Sequence, residues 1–369
     1  MTKFIPISEP SITAKEVEYV TDAVKSGWIS SLGKYVDAFE EKFAAFCGTK
    51  HAVAVSNGTA ALHLALVAYG IGPGDEVIVP DFTFIATANA VKHAGADVKL
   101  VDIEENTLCI DPEKIRSAIT AKTKAIIPVH IYGHPADMTK IRKIANEHNL
   151  IVIEDAAEAH GAEVNGVRVG SIGNCGTFSF YGNKIMTTGE GGMITSNDDV
   201  FVQKVRDLRD HAMSKKKRYW HEDVGYNYRI TNLQAALGLA QIERIEELLM
   251  SKKRIFSTYK RCLRDHRRCR LNFEAPWAKN VYWMVTLEIL TYSEDERDHL
   301  MLRLKKENID SRPYFYPISD MPMYKKVDTP VTHKVYQRGI NLPSYYALKD
   351  ETIEYICEKI KEHLAGDMK

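Results

Sequence analysis

The sequence predicts an α/β protein whose larger part contains a mostly parallel sheet of seven strands. Short apolar runs alternate with stretches of helical periodicity between residues 51 and 154, which is typical of parallel strands joined by helices. Two more apolar runs follow before residue 200, and longer helical patterns with few strands come after them. We therefore expect a large domain at residues 1–245 and a smaller α+β domain at 246–369.

The elements of the large domain follow in order along the chain. Two helices come first, one ending near Gly27 and one at 36–46. Strands are then predicted at 51–55, 76–80, 97–103, 124–131, 151–154, 176–181 and 192–196, with helices at 59–69, 85–93, 112–119 and 137–148. The last strand follows a tight turn, which favours an antiparallel neighbour.

After residue 200 we expect a helix at 201–212 and an irregular loop at 213–230. One long helix is predicted from Asn232 to about Asp265, and the domain boundary is placed inside it. A strand is then predicted at 281–289 and a helix at 293–309. Extended segments are predicted near 311–316 and 339–342, and a final helix at 349–365.

Composition excludes several classes of function. Lys plus Arg and Asp plus Glu both number 49 in 369 residues, so the net charge is zero, which argues against a nucleic-acid binder. No apolar run suggests a signal peptide or a membrane span. The six cysteines form no Cys-x-x-Cys pair, which favours a reduced, cytoplasmic setting without a zinc site.

The candidate catalytic residue is Lys184, between a short apolar strand and a glycine-rich bend. Reactive side chains of α/β proteins are commonly displayed at strand ends. A lysine buried there loses its proton more easily and can act as a nucleophile. A surface hairpin with a solvated lysine is the alternative for this stretch taken alone.

Two candidate phosphate ligands precede Lys184. Gly58 and Thr59 open a helix directly after the first strand, where free N–H groups and the helix dipole favour an anion. An ordinary helix cap is the alternative. Ser179 lies between two phenylalanines of the strand before Lys184, and it either faces the same site or the opposite side of the sheet.

Two further residues would suit a flat, protonated ring. Phe84 follows the second strand, where an aromatic side chain stacks on a heterocycle or packs in the core. Asp155 ends the fifth apolar run, and a carboxylate leaving a buried strand needs a partner such as a protonated ring nitrogen, a helix N-terminus or a cation. Together with Lys184 and the phosphate cradle, these residues match pyridoxal 5′-phosphate (PLP).

Several motifs resemble the DegT/StrS-type nucleotide-sugar aminotransferases, which share the aspartate-aminotransferase fold (PLP fold type I). They are Ser-Asn-Gly-Thr-Ala-Ala-Leu, Glu-Asp-Ala-Ala, Ser-Phe-Tyr-Gly-Asn-Lys, Thr-Gly-Glu-Gly-Gly-Met and Asn-Tyr-Arg-Ile-Thr-Asn-Leu-Gln-Ala-Ala. The resemblance covers nearly the whole chain. Within the family the chain resembles the GDP-perosamine synthase branch, in stretches such as Trp28-Ile29-Ser30-Ser31 and Arg218-Tyr219-Trp220.

The resemblance implies roles for these residues. Lys184 would bond to the cofactor aldehyde and then move the proton, Asp155 would pair with the pyridine nitrogen, and Phe84 would stack on the ring. Gly58, Thr59 and Ser179 would hold the phosphate, together with Asn232 of a neighbouring subunit, which implies a homodimer with shared active sites. Glu158 would form a hydrogen bond near the ring hydroxyl, at a position where many relatives carry Gln.

The implied reaction moves an amino group from L-glutamate to C4 of a nucleotide-linked 4-keto-6-deoxy sugar. In the loop at 213–230, a basic run is followed by aromatic residues, which suits a nucleotide diphosphate, whereas a solvated charged face is the alternative. The candidate substrate-binding residues are Arg218, Tyr219, Trp220, Asn227, Arg229 and Tyr316.

Three other functions compete with this interpretation. A PLP-dependent sugar dehydratase would have a histidine in place of Lys184. A metalloprotein would use His130 and His134 with Glu154, although Gly133 and Pro135 argue against the helix that this histidine spacing needs. A PLP-binding regulator without turnover would more often lack the lysine or carry an extra DNA-binding domain.

Overall fold

The computed structural model describes residues 4–366, so the outermost residues of both predicted domains, 1–3 and 367–369, lie outside the described residues. The α-helices of the described chain are α1 (Ala14–Ser26), α2 (Lys34–Cys47), α3 (Gly58–Ala68), α4 (Ala86–His93), α5 (Pro112–Ala118), α6 (Met138–His148), α7 (Asp199–Arg209), α8 (Asn232–Ile242), α9 (Ile245–Leu263), α10 (Glu294–Lys306), α11 (Pro330–Val335) and α12 (Asp350–Gly366).

The strands of the same residues form three sheets. They are β1 (His51–Val55), β2 (Glu76–Pro80), β3 (Asp97–Val101), β4 (Thr123–Ile126), β5 (Ile151–Asp155), β6 (Glu163–Val164), β7 (Val167–Arg168), β8 (Cys175–Ser179), β9 (Gly192–Ser196), β10 (Cys269–Leu271), β11 (Ala278–Lys279), β12 (Val285–Ile289), β13 (Arg312–Pro313) and β14 (Gly339–Leu342).

The largest sheet has seven strands in the order β1-β9-β8-β5-β4-β2-β3. Strand β9 is antiparallel to both of its neighbours, and the other pairs are parallel. Side chains of β1 alternate between two apolar cores, with Ala52 and Ala54 in one and Val53 and Val55 in the other. Burial on both faces explains why these strands read as apolar runs. The predicted α/β fold class is confirmed.

The long helix predicted from Asn232 to about Asp265 is wrong in one respect, because α8 ends at Ile242 and α9 begins at Ile245. Arg244 leaves the helical region, with φ −121° and ψ 19°. Its guanidinium is bonded to the buried carboxylate of Glu16 in α1 at 3.0 Å. Hydrophobic periodicity does not report such a tertiary contact. The domain boundary after residue 245 stays a prediction.

The carboxy-terminal part contains a four-stranded antiparallel sheet in the order β10-β12-β14-β13, packed with α9, α10 and α12 around a third apolar core. The strand predicted at 281–289 begins only at Val285. Strands β6, β7, β10 and β11, of two or three residues each, are too short to show a periodicity and were not predicted. None of the helices in residues 4–366 has the length and apolarity that crossing a bilayer requires.

Candidate active site

A cavity of about 650 Å³ opens at the edge of the large sheet where the parallel strands end. Its walls come from the start of α3, from the residues that end or follow β2, β4, β5 and β8, and from the carboxy-terminal part of the chain. The lining residues used below are Asn57, Gly58, Thr59, His63, Phe84, Thr87, Asp155, Glu158, Ser179, Asn183, Lys184, Trp283 and Phe315. This edge is the usual location of ligand sites in α/β folds.

One wall of the cavity is the amino terminus of α3. Asn57 caps the helix, its side chain accepting a hydrogen bond from the backbone N–H of Ala60 at 2.8 Å. A Cβ on Gly58 would lie 2.8 Å from Cβ of Ser179, so glycine lets α3 approach β8 closely. Gly58, Thr59 and Ser179 therefore lie on one wall with the positive end of the helix dipole, and this wall fits a phosphate group.

Asp155 is the last residue of β5 and is buried in the cavity wall. Its carboxylate accepts hydrogen bonds from Oγ1 of Thr87 at 2.7 Å and from the backbone N–H of Ala157 at 3.2 Å. Burial raises the pKa of Asp155, against the opposing effect of these bonds and of Lys184. A buried carboxylate in this position is stabilised by a cationic partner, as a protonated pyridine nitrogen would be.

Lys184 lies in the turn after β8, with Nζ 3.7 Å from Oε1 of Glu158 and 4.0 Å from the ring centroid of Trp283. Burial lowers the pKa of Lys184, while the carboxylates of Glu158 and Asp155 act in the opposite direction. The lowered pKa increases the fraction of free amine, which is the nucleophilic form. The structure thus places this lysine inside the cavity, and a solvated hairpin does not describe it.

Glu158 lies beside Lys184, and its other carboxylate oxygen accepts the backbone N–H of Tyr132 at 2.8 Å. Burial raises the pKa of Glu158 to about 7, although Lys184 and the Tyr132 N–H oppose the shift. Near neutral pH the side chain therefore exists in both protonation states. In its protonated state, it can donate a hydrogen bond as well as accept one.

The two phenylalanines after β2 have different environments. Phe82 is buried in the core, edge-on to Tyr132 and Tyr314. Phe84 lines the cavity, is 56% exposed and packs near Phe315, with ring centroids 5.9 Å apart. Phe84 therefore has a free surface toward the cavity, whereas Phe82 has none.

Asn232 does not line the cavity of its own chain. Its Oδ1 accepts the backbone N–H of Tyr35 at 3.1 Å, and its Nδ2 donates to the carbonyl of Trp28 at 2.6 Å. The side chain fixes the loop between α1 and α2. Its predicted contact with the phosphate of a neighbouring subunit stays a prediction.

The predicted substrate-binding residues also lie outside the cavity lining of their own chain. Tyr219 and Trp220 are exposed, and the guanidinium carbon of Arg218 lies 5.0 Å from the Tyr219 ring centroid. Arg229 pairs with Asp210 at 2.9 Å. Asn227 and Tyr316 also lie outside the cavity lining. Asn227 accepts hydrogen bonds from Arg229, and Tyr316 packs against Tyr336.

The structure also brings into the site residues that sequence reasoning missed. Thr87 lies in the first turn of α4, three residues after Phe84, and its hydroxyl donates a hydrogen bond to Asp155. Trp283 and Phe315 come from distant parts of the chain, and His63 lies on α3 with Nδ1 3.1 Å from the hydroxyl of Tyr228. No local pattern indicates these three.

The histidines of the metalloprotein alternative do not converge. His130 Nε2 lies 3.0 Å from Oε2 of Glu154, whose carboxylate also accepts three backbone N–H groups. His134 instead accepts the N–H of Ala275 at its Nε2. Within residues 4–366 there is no group of three or more His, Cys, Asp or Glu side chains placed to hold a metal ion.

The phosphate-sized cradle, the buried acid and the lysine of lowered pKa match the three parts of PLP that a protein must hold: phosphate, ring nitrogen and aldehyde. Fold and site together therefore define a PLP-dependent transferase. The chain belongs to the DegT/DnrJ/EryC1/StrS aminotransferase family, whose sequence model matches residues 10–361. The resemblance inferred from the motifs is confirmed, as is the cofactor.

Relatives of known sequence or structure support this assignment. The chain is 45% identical to a GDP-perosamine synthase of Escherichia coli O157:H7 over 362 residues, 98% of each chain. It is 44% identical to a GDP-perosamine synthase of Vibrio cholerae, over 97% of this chain and 99% of the other. The structure of Spr1654 from Streptococcus pneumoniae in its PLP form superposes with a TM-score of 0.94, at 29% identity and over 98% of each chain. The chain is a PLP-dependent sugar aminotransferase.

Proposed function

We propose that the enzyme transfers the amino group of L-glutamate to C4 of GDP-4-keto-6-deoxy-D-mannose and forms GDP-perosamine. The observation that carries this proposal is the 45% identity, over 98% of each chain, to a protein named GDP-perosamine synthase. The same chemistry on a UDP- or dTDP-linked 4-keto sugar is the second candidate. A sugar dehydratase is disfavoured because this chain has Lys184 at the position where such dehydratases have a histidine.

The cavity residues have distinct roles in this proposal. Bound PLP supplies an electrophilic carbon and a ring that accepts electrons. Asp155 keeps the ring nitrogen protonated, and the hydroxyl of Thr87 orients its carboxylate. Gly58, Thr59 and Ser179 bind the phosphate, while Phe84 presents its exposed face to the ring.

Lys184 carries the proton in both half-reactions. Its amine takes a proton from the carbon that loses hydrogen and returns it to the carbon that gains hydrogen, which is C4 of the sugar in the second half. Two features suit this role: the amine is held near Glu158 and Trp283, and its pKa is lowered by burial. Glu158 lies near enough to stabilise the protonated form between the two transfers.

The substrate is tested with the purified enzyme and a set of 4-keto-6-deoxy sugars linked to GDP, UDP or dTDP. We expect the GDP-linked mannose derivative to give a product about 1 Da heavier by mass spectrometry, because CH–NH2 replaces the C=O group at C4, with one 2-oxoglutarate released per turnover. Faster turnover of a UDP- or dTDP-linked sugar would contradict the GDP assignment and leave the aminotransferase assignment intact.

We further propose a homodimer in which Asn232 completes the partner's site. Apolar side chains are exposed on α1 and on the loop after it, next to the backbone that Asn232 holds. They are Val17, Val24, Trp28, Ile29 and Leu32. An exposed apolar surface of this kind is typical of a protein–protein interface.

Two inactive variants are expected to complement each other if sites are shared. A mixture of Lys184→Ala and Asn232→Ala chains should recover about a quarter of wild-type activity, because random exchange makes half the dimers hybrid and each hybrid holds one intact site. Activity is measured after dimer exchange has been verified with differently tagged chains. No recovery in verified hybrids would contradict a shared active site.

Arg218 is expected to bind the nucleotide part of the substrate. Replacement by alanine should raise KM for the nucleotide sugar about tenfold, equivalent to about 1.4 kcal/mol, because a cation facing two phosphates is lost. KM for glutamate should hardly change. Lys216→Ala in the same exposed loop is the control, and equal changes in both KM values, or none, would exclude this role for Arg218.

A further inference from the structure

Trp283 contacts both the side chain and the backbone of the lysine turn. Its ring centroid lies 4.0 Å from Nζ of Lys184. Its indole N–H donates a hydrogen bond of 2.8 Å to the carbonyl of Asn183, the residue directly before Lys184. One side chain therefore limits the position of the amine and the movement of the turn that carries it.

The position of Trp283 is itself fixed from several sides. The indole is 4% exposed and stacks nearly parallel to Tyr132, at an interplanar angle of 15° and a centroid distance of 6.3 Å. Its backbone N–H lies so close to Gly133 that a Cβ there would approach it to 2.7 Å. A bulkier residue at 133 has no room, which keeps the stacked arrangement closely packed.

Lys252 of α9 holds the backbone of Trp283. Its buried ammonium donates to the carbonyl of Trp283 at 2.8 Å and also to that of Ser344. Burial lowers the pKa of Lys252 to about 7. Burying an ammonium between two carbonyl groups has a desolvation cost, so the lysine contributes positioning more than stability. Trp283 is thus fixed to α9 and to the segment after β14.

The charged and titratable groups around Lys184 come from three directions. Glu158, Asp155 and His160 lie in and after β5, and burial lowers the pKa of His160 to about 3, so it is neutral. Glu9, Lys184 and Lys252 line one small cavity of about 20 Å³, together with Tyr345 and Tyr346. The aromatic face of Trp283 attracts an ammonium without exchanging a proton with it.

We infer that Trp283 is a positioning residue for amino transfer: its indole face holds the Lys184 side chain in the cavity when it is detached from the cofactor, and its N–H holds the turn. The inference rests on the proposed role of Lys184. During the reaction the amine is detached from the cofactor and must reach the substrate carbon repeatedly. An aromatic surface that stabilises the protonated amine keeps it close between transfers.

The first test measures the titration of Lys184 in apoprotein, where no cofactor is bonded to it. Competitive acetylation at a series of pH values, followed by mass spectrometry of the Lys184 peptide, gives the midpoint of its deprotonation. Loss of cation–π stabilisation should lower this midpoint by about half a unit in Trp283→Phe and by about one unit in Trp283→Leu, since indole is the strongest of the aromatic faces. If the leucine variant does not fold, the phenylalanine variant decides.

The second test separates positioning from general stability. In Trp283→Leu, kcat should fall about tenfold while KM for glutamate changes less than about twofold. Trp277→Leu is the control, because Trp277 packs on His134 and is outside the cavity lining. In this variant neither the midpoint of Lys184 deprotonation nor kcat should change. An unchanged or raised midpoint in both Trp283 variants would overturn the inference. Full activity of Lys184→Ala would instead show that the proposed role of Lys184 is wrong.

Discussion

Replacing Lys184 with alanine is expected to abolish amino transfer, with a loss in kcat of more than about 10⁴-fold. The variant lacks both the covalent attachment of the cofactor and the group that moves the proton, and proton transfer alone contributes about 10² to 10⁴. The structure supports this expectation because the amine lies in the cavity beside Glu158, with a pKa lowered by burial. The rate is measured from 2-oxoglutarate release and from product mass.

Lys253→Ala is the matched control, since Lys253 is exposed on α9 and should have wild-type activity when replaced. The Lys184 variant should still fold and still bind PLP noncovalently, because the phosphate wall and Asp155 are unchanged. Retention of more than about a tenth of the wild-type rate would refute the role of Lys184.

Asp155→Asn is expected to keep PLP bound and to slow the proton transfer steps by about 10² or more. An amide carries no charge, so it cannot hold the ring nitrogen protonated, and the ring then accepts electrons less well. The hydrogen-bond partners of the side chain, Thr87 and Ala157, remain in place. Single-turnover absorbance changes report the slowed steps, and the absorbance of denatured enzyme reports the PLP content.

Thr87→Val provides a graded comparison for Asp155→Asn. It removes one hydrogen bond to the carboxylate, which should raise the pKa of Asp155 further and slow the same steps by a smaller factor. Unchanged single-turnover kinetics in Asp155→Asn would remove Asp155 from the mechanism. Loss of bound PLP with a normal rate for the bound fraction would make it a binding residue alone.

The fold around the seven-stranded sheet was predictable because its strands and helices leave local patterns in the sequence. Strands buried on both faces read as apolar runs, and each of the five between residues 51 and 154 overlaps a strand, although β4 ends at Ile126, five residues before the predicted end at 131. The helix break at Arg244 was not predictable from periodicity, which carries no information on the ion pair that Arg244 forms there with Glu16, more than 200 residues away. The strands of two or three residues were not predicted, because they are too short to show a periodicity.

The site divides in the same way. Asp155 and Ser179 were candidate site residues from the sequence, and both line the cavity because the parallel strands β5 and β8 end at the same edge of the sheet. Trp283 reaches the cavity from the carboxy-terminal part of the chain, and no pattern in the sequence around it indicates that it contacts Lys184. Arg218 and Asn232 lie outside the cavity lining of their own chain, so the roles proposed for them assume a second subunit.

The central claim is that Lys184 carries the cofactor, and chemical mapping tests it most directly. The PLP-loaded enzyme is reduced with borohydride, digested, and searched by mass spectrometry for the lysine that retains the pyridoxyl group. We predict a single modified peptide that contains Lys184 and is absent after Lys184→Ala. Modification of Lys252, a buried lysine whose pKa is also lowered by burial, or of any lysine outside the cavity, would contradict the assignment.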